Sequence, residues 1–142
     1  IADEFADRRV VLLARYAEQE ERYAVVARKN VVVCNEPFFG PNMLREAALF
    51  IGRGGTMNAE AALMGVPTIS NYPGRWTYVD VYLRKEGLLA LGKNDAHVIR
   101  TAKSMLSKEY FRKELKKKAK KVLDLMSNPA EEIALCLDGT CA

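Results

Sequence analysis

Three glycines among four residues, Gly52-Arg53-Gly54-Gly55, followed by Thr56 and a run of helix formers, are the part of this chain best suited to hold an anion. Leu49-Phe50-Ile51 leads directly into them, so they lie at the carboxyl end of a predicted strand. Glycine lets a backbone approach a ligand with no Cβ in the way. The first turn of the next helix, which runs to Met64, has N–H groups without intrahelical acceptors, and the helix dipole adds partial positive charge there. That combination suits a phosphate or diphosphate, and Thr56 adds a hydroxyl donor. Glu60 lies four residues after Thr56 on the same face. Its carboxylate either reaches a diol, such as a ribose attached to the diphosphate, or stays a solvated, dipole-stabilising charge. It is no capping box counted from Thr56, because the third residue on is Ala59. Met57, Ala61 and Met64 recur at helical spacing on another face and are expected in the core.

Other reactive residues are sparse. His97, the sole histidine, follows Asn94-Asp95 at a predicted helix start and reads as a cap-region or surface residue, so no catalytic residue is assigned. Arg75 and Asp80 flank the Tyr72-Pro73-Gly74 turn on the presumed ligand edge, where they touch a sugar or serve as ordinary helix-face charges. Cys34, Cys136 and Cys141 form no C-x-x-C pair, so no metal site and no disulfide framework is expected. Cys34 reads as a small core residue, and Cys136 and Cys141 can pair but need not. A reducing cytoplasm is the default.

The elements needed to position these residues follow from short apolar runs separated by helical patterns. Strands are predicted at Val10–Ala14, Val31–Cys34, Leu49–Ile51, Val66–Ser70 and Leu88–Leu91. Helices are predicted at Glu18–Lys29, Asn42–Ala48, from the glycine turn to Met64 and at Trp76–Glu86, with two more from about Asp95. Gly65 suits a left-handed helix end, and Pro67 is tolerated at the start of its strand. Aliphatic strands without alternation are buried on both faces, which predicts an α/β, Rossmann-like parallel sheet with helices on both faces. Strand-to-helix loops then share one edge, where ligands bind. Residues 1–142 read as one domain. No apolar run approaches the ~20 residues of a membrane-spanning helix. The start at Ile1, not Met, suggests a trimmed chain or a piece of a longer one.

The glycine turn is neither a Walker loop, since no Gly-Lys-Ser/Thr occurs, nor the dinucleotide fingerprint that follows a first strand. The stretch Phe50-Ile51-Gly52-Arg53-Gly54-Gly55-Thr56-Met57 through Glu60-Ala61-Ala62 to Gly65-Val66-Pro67-Thr68-Ile69 closely resembles the C-terminal domain of GT-B-fold nucleotide-sugar enzymes. Among these are the lipid-intermediate N-acetylglucosaminyltransferase of peptidoglycan synthesis and the non-hydrolysing UDP-N-acetylglucosamine 2-epimerases. An uncharacterised, mainly archaeal GT-B-like family, with a following Tyr-Pro-Gly, is the nearest likeness. The resemblance spans roughly Val10 to Ser107.

It implies a nucleotide-sugar substrate, UDP-linked, and no further cofactor. Gly52, Arg53, Gly54, Gly55, Thr56 and Met57 would face the diphosphate and Glu60 the ribose. Phe38 or Phe39, of which Phe39 is the choice, would lie beside the base. The N-terminal acceptor domain of such enzymes is absent from this chain, so a missing domain or a separate subunit is implied. The alternatives to a glycosyltransferase-like half are part of an epimerase-like enzyme, or a non-catalytic nucleotide-binding module.

Net charge is +4, with the excess near the C-terminus. Lys108, Arg112, Lys113, Lys116, Lys117, Lys118, Lys120 and Lys121 surround a stripe of Phe111, Leu115, Ala119, Val122 and Met126. A solvated helix face is the plainer reading, and peripheral contact with an anionic membrane the functional one. Nucleic acid is not expected as a partner, because aromatic residues for base stacking are not interleaved.

Overall fold

Alternating β and α segments dominate the computed structural model of the chain, which describes residues 1–14, 16–25, 28–34, 36, 38–107 and 110–139. The chain forms two compact units, Ile1–Phe39 and Gly40–Ala142. It is α/β, with parallel sheets and helices on both sides. The strands pair as two sheets, one of two strands and one of three.

In the first unit, β1 (Val10–Leu13) and β2 (Val31–Cys34) run parallel, with α1 (Ala17–Val25) between them in sequence. Val11 and Val32 are register partners and both are exposed, so this pair is not buried on both faces as the apolar runs predict. The Asn30 amide donates to the carbonyls of Ala2 and Phe5, each at 3.0 Å, and so ties the N-terminal turns to the start of β2.

The second unit carries the sheet order β3-β4-β5, from β3 (Phe50–Gly52), β4 (Thr68–Ser70) and β5 (Leu89–Leu91). Register pairs Gly52 with Ser70 and Ser70 with Leu91, so all three strands end level at one edge. Around them lie α2 (Gly40–Glu46), α3 (Thr56–Leu63), α4 (Tyr78–Lys85), α5 (Asp95–Leu106), α6 (Phe111–Asp124) and α7 (Pro129–Leu137). Three helices therefore follow β5 where the sequence pattern suggests two.

Helix α3 is the hub, because it buries two faces. Ala61 packs with Leu44 and Val66, joined by Met57 and Met64 as the spacing predicts. Ala62 packs instead with Leu83, Leu88, Leu89, Leu91 and the inner stripe of α6.

The helices that lead into β4 and β5 end in the same way. After α3, Gly65 adopts φ 70, its N–H bonds the Ala62 carbonyl and the Val66 N–H bonds the Ala61 carbonyl. After α4, Gly87 at φ 71 and Leu88 repeat that pattern on Arg84 and Leu83. This left-handed glycine cap satisfies two otherwise orphaned carbonyls and fixes the chain direction into β4 and β5. A side chain at Gly65 would also stand 2.7 Å from the Lys116 Cα, so α6 rests directly on that cap.

Candidate functional site

The glycine turn opens α3 through backbone that only glycine readily adopts. Gly54 has φ 88, and Gly55, the N-cap, has φ 87 with ψ −174. A Cβ on Gly55 would meet nothing within 4 Å, so the space before the helix end is open. The N-cap is Gly55 and not Thr56, which puts Thr56 first in the helix and leaves the cap without any side-chain bond. The Asn58 N–H turns back to the Gly55 carbonyl at 3.1 Å, leaving the N–H groups of Thr56 and Met57 as the orphan donors. The Met57 side chain is committed to the core, so its backbone is what it offers a ligand.

Gly52 has a different duty. A side chain there would run into the Asn58 carboxamide and the Phe50 ring, so its bareness admits α3 and not a ligand. Asn58 is 0% exposed, and neither end of its amide has a hydrogen-bond partner. The Ser70 hydroxyl, on the strand residue paired with Gly52, is likewise buried without a partner. Paired residues of parallel strands project to the same face, so two orphaned polar groups lie beneath the turn. Such burial costs about 1–3 kcal/mol for each group left unsatisfied. Asn58 shares the buried face of Ala61 and Ala62, an i, i+3, i+4 set that is the one sequence sign of its position.

Two cavities open at the edge where the strands end, as expected for an open parallel sheet. The smaller, about 200 Å³, lies on the turn itself and is lined by Arg53, Gly54, Gly55, Tyr72, Arg75, Thr77 and Asp80. The larger, about 550 Å³, extends over the loops after β4 and β5, with Arg53, Tyr72, Trp76, Lys93 and Asn94 among its walls. Ladder bonds that overrun the strands anchor both loops: the Asn71 N–H to the Gly52 carbonyl at 2.9 Å, and the Gly92 N–H to the Ser70 carbonyl at 2.7 Å.

Tyr72 separates the cavities. A Cβ on Gly54 would stand 3.5 Å from its ring, and one on Gly74 only 2.7 Å away. The tyrosine thus lies at ordinary contact distance from the anion turn and takes the space that a side chain at Gly74 would need. Neither Tyr72 nor Trp76 had a role assigned from the sequence, because their place depends on contacts between separate loops.

Asp80 lines the smaller cavity and also starts α4. It is buried, and its Oδ2 accepts from the Thr77 N–H at 3.3 Å and the Thr77 hydroxyl at 2.8 Å. The Asp80 N–H returns to Thr77 Oγ1 at 3.2 Å, completing a capping box that starts α4 two residues later than Trp76. Arg75 remains exposed on the smaller cavity.

Glu60 lies in the second turn of α3, whose first turn holds no acidic residue, so dipole stabilisation does not account for it. Its Oε2 is 3.8 Å from where a Gly40 side chain would begin, and it lines neither cavity. Phe39 is 68% exposed. It belongs to the first unit, whereas the turn belongs to the second. His97 sits in the first turn of α5, its N–H bonded to the Asn94 side chain at 2.9 Å, and outside both cavities.

On α6 the stripe of Leu115, Ala119 and Val122 is buried, Phe111 packs against it and Met126 is half exposed. Arg112 leaves the charged face: its Nη2 donates to the Arg45 carbonyl at 2.7 Å, at the end of α2. Lys108 and Cys141 lie outside the described residues. Cys34 is a free thiol, and Cys136 is disulfide-bonded. Among the described residues, no helix is long and apolar enough to cross a membrane.

Comparison with known proteins places these features in a family. A family model described as "Protein of unknown function (DUF354)" matches residues 1–134. The uncharacterized protein MJ0665 of the archaeon Methanocaldococcus jannaschii is 39% identical over 77 residues, which is 54% of this chain and 22% of that protein. The match thus spans about a fifth of that relative's length. No solved structure matches.

Proposed function

The chain belongs to this family of unknown function, and from that premise we propose that it is the nucleotide-diphosphate-sugar-binding half of a glycosyltransferase-like enzyme of GT-B type. The observation that carries the reading is the turn itself. Left-handed Gly54 and Gly55 open α3 onto a cavity flanked by Arg53 and Arg75, at the carboxyl edge of a parallel sheet. Backbone donors and the two guanidiniums suit a diphosphate, and Glu60 in the next turn suits a ribose diol. The donor in this reading is UDP-linked, and no metal or further cofactor takes part.

The acceptor and the general base come from a second domain or subunit, in keeping with a match that covers a small part of its archaeal relative. The setting in this reading is cytoplasmic. The reading also takes in peripheral contact between the lysine face of α6 and an anionic membrane.

Calorimetric titration with UDP, GDP, CDP and pyrophosphate tests it. UDP is expected to bind more tightly than pyrophosphate. Glu60→Ala is expected to weaken UDP about tenfold, ~1.4 kcal/mol, while leaving pyrophosphate unchanged. Equal losses for both ligands would remove the ribose assignment, and no binding of any diphosphate would remove the proposal.

A further inference from the structure

The larger cleft holds a cation that the diphosphate reading does not use. Arg53 and Arg75 line the smaller cavity on the glycine turn, one for each phosphate of a diphosphate bridge. Lys93 lines only the larger cleft beyond Tyr72. Among the described residues, Arg53, Arg75 and Lys93 are in no ion pair. Asp80 is consumed by its capping box with Thr77. Asp95, in the first turn of α5, also lines the larger cleft, where the cations Arg53 and Lys93 outnumber it.

The rest of the cleft is suited to a hydroxylated ring. Trp76 offers an indole that is 37% exposed, with the Arg84 guanidinium 5.5 Å from its centroid to hold it. Asn71 supplies amide groups from the same loop after β4. The walls are built to meet: a side chain at Gly92 would collide with Val98 and come within 3.4 Å of Asn71. A volume of about 550 Å³ falls in the range of small-molecule sites.

We infer that this cleft takes the sugar of the bound nucleotide sugar and that the sugar is acidic, a uronic-acid type whose carboxylate pairs with Lys93. The inference rests on the diphosphate assignment above and adds the charge of the substrate to it. Lys93 acts by choosing the substrate, not by taking part in a bond-making step.

The test is calorimetry on the full chain with UDP, UDP-glucose and UDP-glucuronate. UDP-glucuronate is expected to bind at least tenfold more tightly than UDP-glucose. Lys93→Gln is expected to abolish that ratio and leave UDP itself unchanged. Equal affinity for the two sugar nucleotides, or a preference that survives Lys93→Gln, overturns the inference while the diphosphate reading stands. Failure of UDP to bind overturns both.

Discussion

At the scale of single residues, the glycines of one turn serve different ends. Gly52 makes room for Asn58, Gly54 faces Tyr72 at ordinary contact distance and is required by its φ of 88, and Gly55 meets no neighbour and is required by its backbone angles alone. Gly55→Ala is therefore expected to cost about 1–3 kcal/mol through backbone strain, without any clash. Thermal unfolding would register that loss, and pyrophosphate affinity would fall with it as the N–H groups of Thr56 and Met57 turn away. A stability unchanged from the parent would mean that the turn is less constrained than its angles indicate. The anion turn was legible in the sequence because three glycines beside a strand and a helix form a purely local pattern. The duties of Asn58 and Tyr72 were hidden, since each depends on a partner from another segment: Gly52 on β3 for one, Gly54 in the anion turn for the other.

Elements show the same division between local and distant causes. Gly65 was readable as a helix end, and its φ of 70 with the paired carbonyl bonds is that end. The start of α4 was misplaced by two residues because Thr77-x-x-Asp80 is itself the local signal, a capping box. Thr77→Ala is expected to destabilise the chain by about 0.5–2 kcal/mol, seen as a lower unfolding midpoint. It would also release the Asp80 carboxylate into the smaller cavity, weakening anion binding.

Helix α6 begins with a titratable pair. The hydrogen bond from Tyr110 holds the Glu114 carboxyl below its ordinary range, with a smaller contribution from Lys117, and raises the Tyr110 phenol in turn. A depressed carboxyl stabilises the fold above its unfolded value and loses that effect as pH falls through the folded one. Tyr110→Phe is expected to move the Glu114 titration upward by NMR, toward an ordinary glutamate, and to narrow the acid window of stability. An unmoved titration would assign the shift to the lysines.

For the whole molecule, the α/β class and the element order were legible, because aliphatic strands and amphipathic helices alternate along the chain. The division of the strands into two sheets was not, since apolar runs specify burial and not partners. Nor was the exposure of Val11 and Val32. The charged C-terminal region combines both cases: its buried stripe followed helical spacing, whereas the removal of Arg112 to the end of α2 is a distant contact.

Six lysines of α6, from Lys113 to Lys121, remain exposed, and Leu125 and Leu137 beyond them are 82% exposed. Sedimentation with phosphatidylglycerol vesicles is expected to carry the chain down at low salt and release it as ionic strength rises. Phosphatidylcholine vesicles are expected to leave it in solution. Equal sedimentation with both would exclude charge as the cause.

Tyr72, set between Gly54 and Gly74, has one more consequence, and it concerns descent. A ring that fills the room of an absent side chain makes Tyr72 and Gly74 a single heritable unit. Relatives that keep the tyrosine should keep that glycine. Those that have lost it are free to place alanine or serine at Gly74, while Gly54 stays fixed by its own left-handed angle.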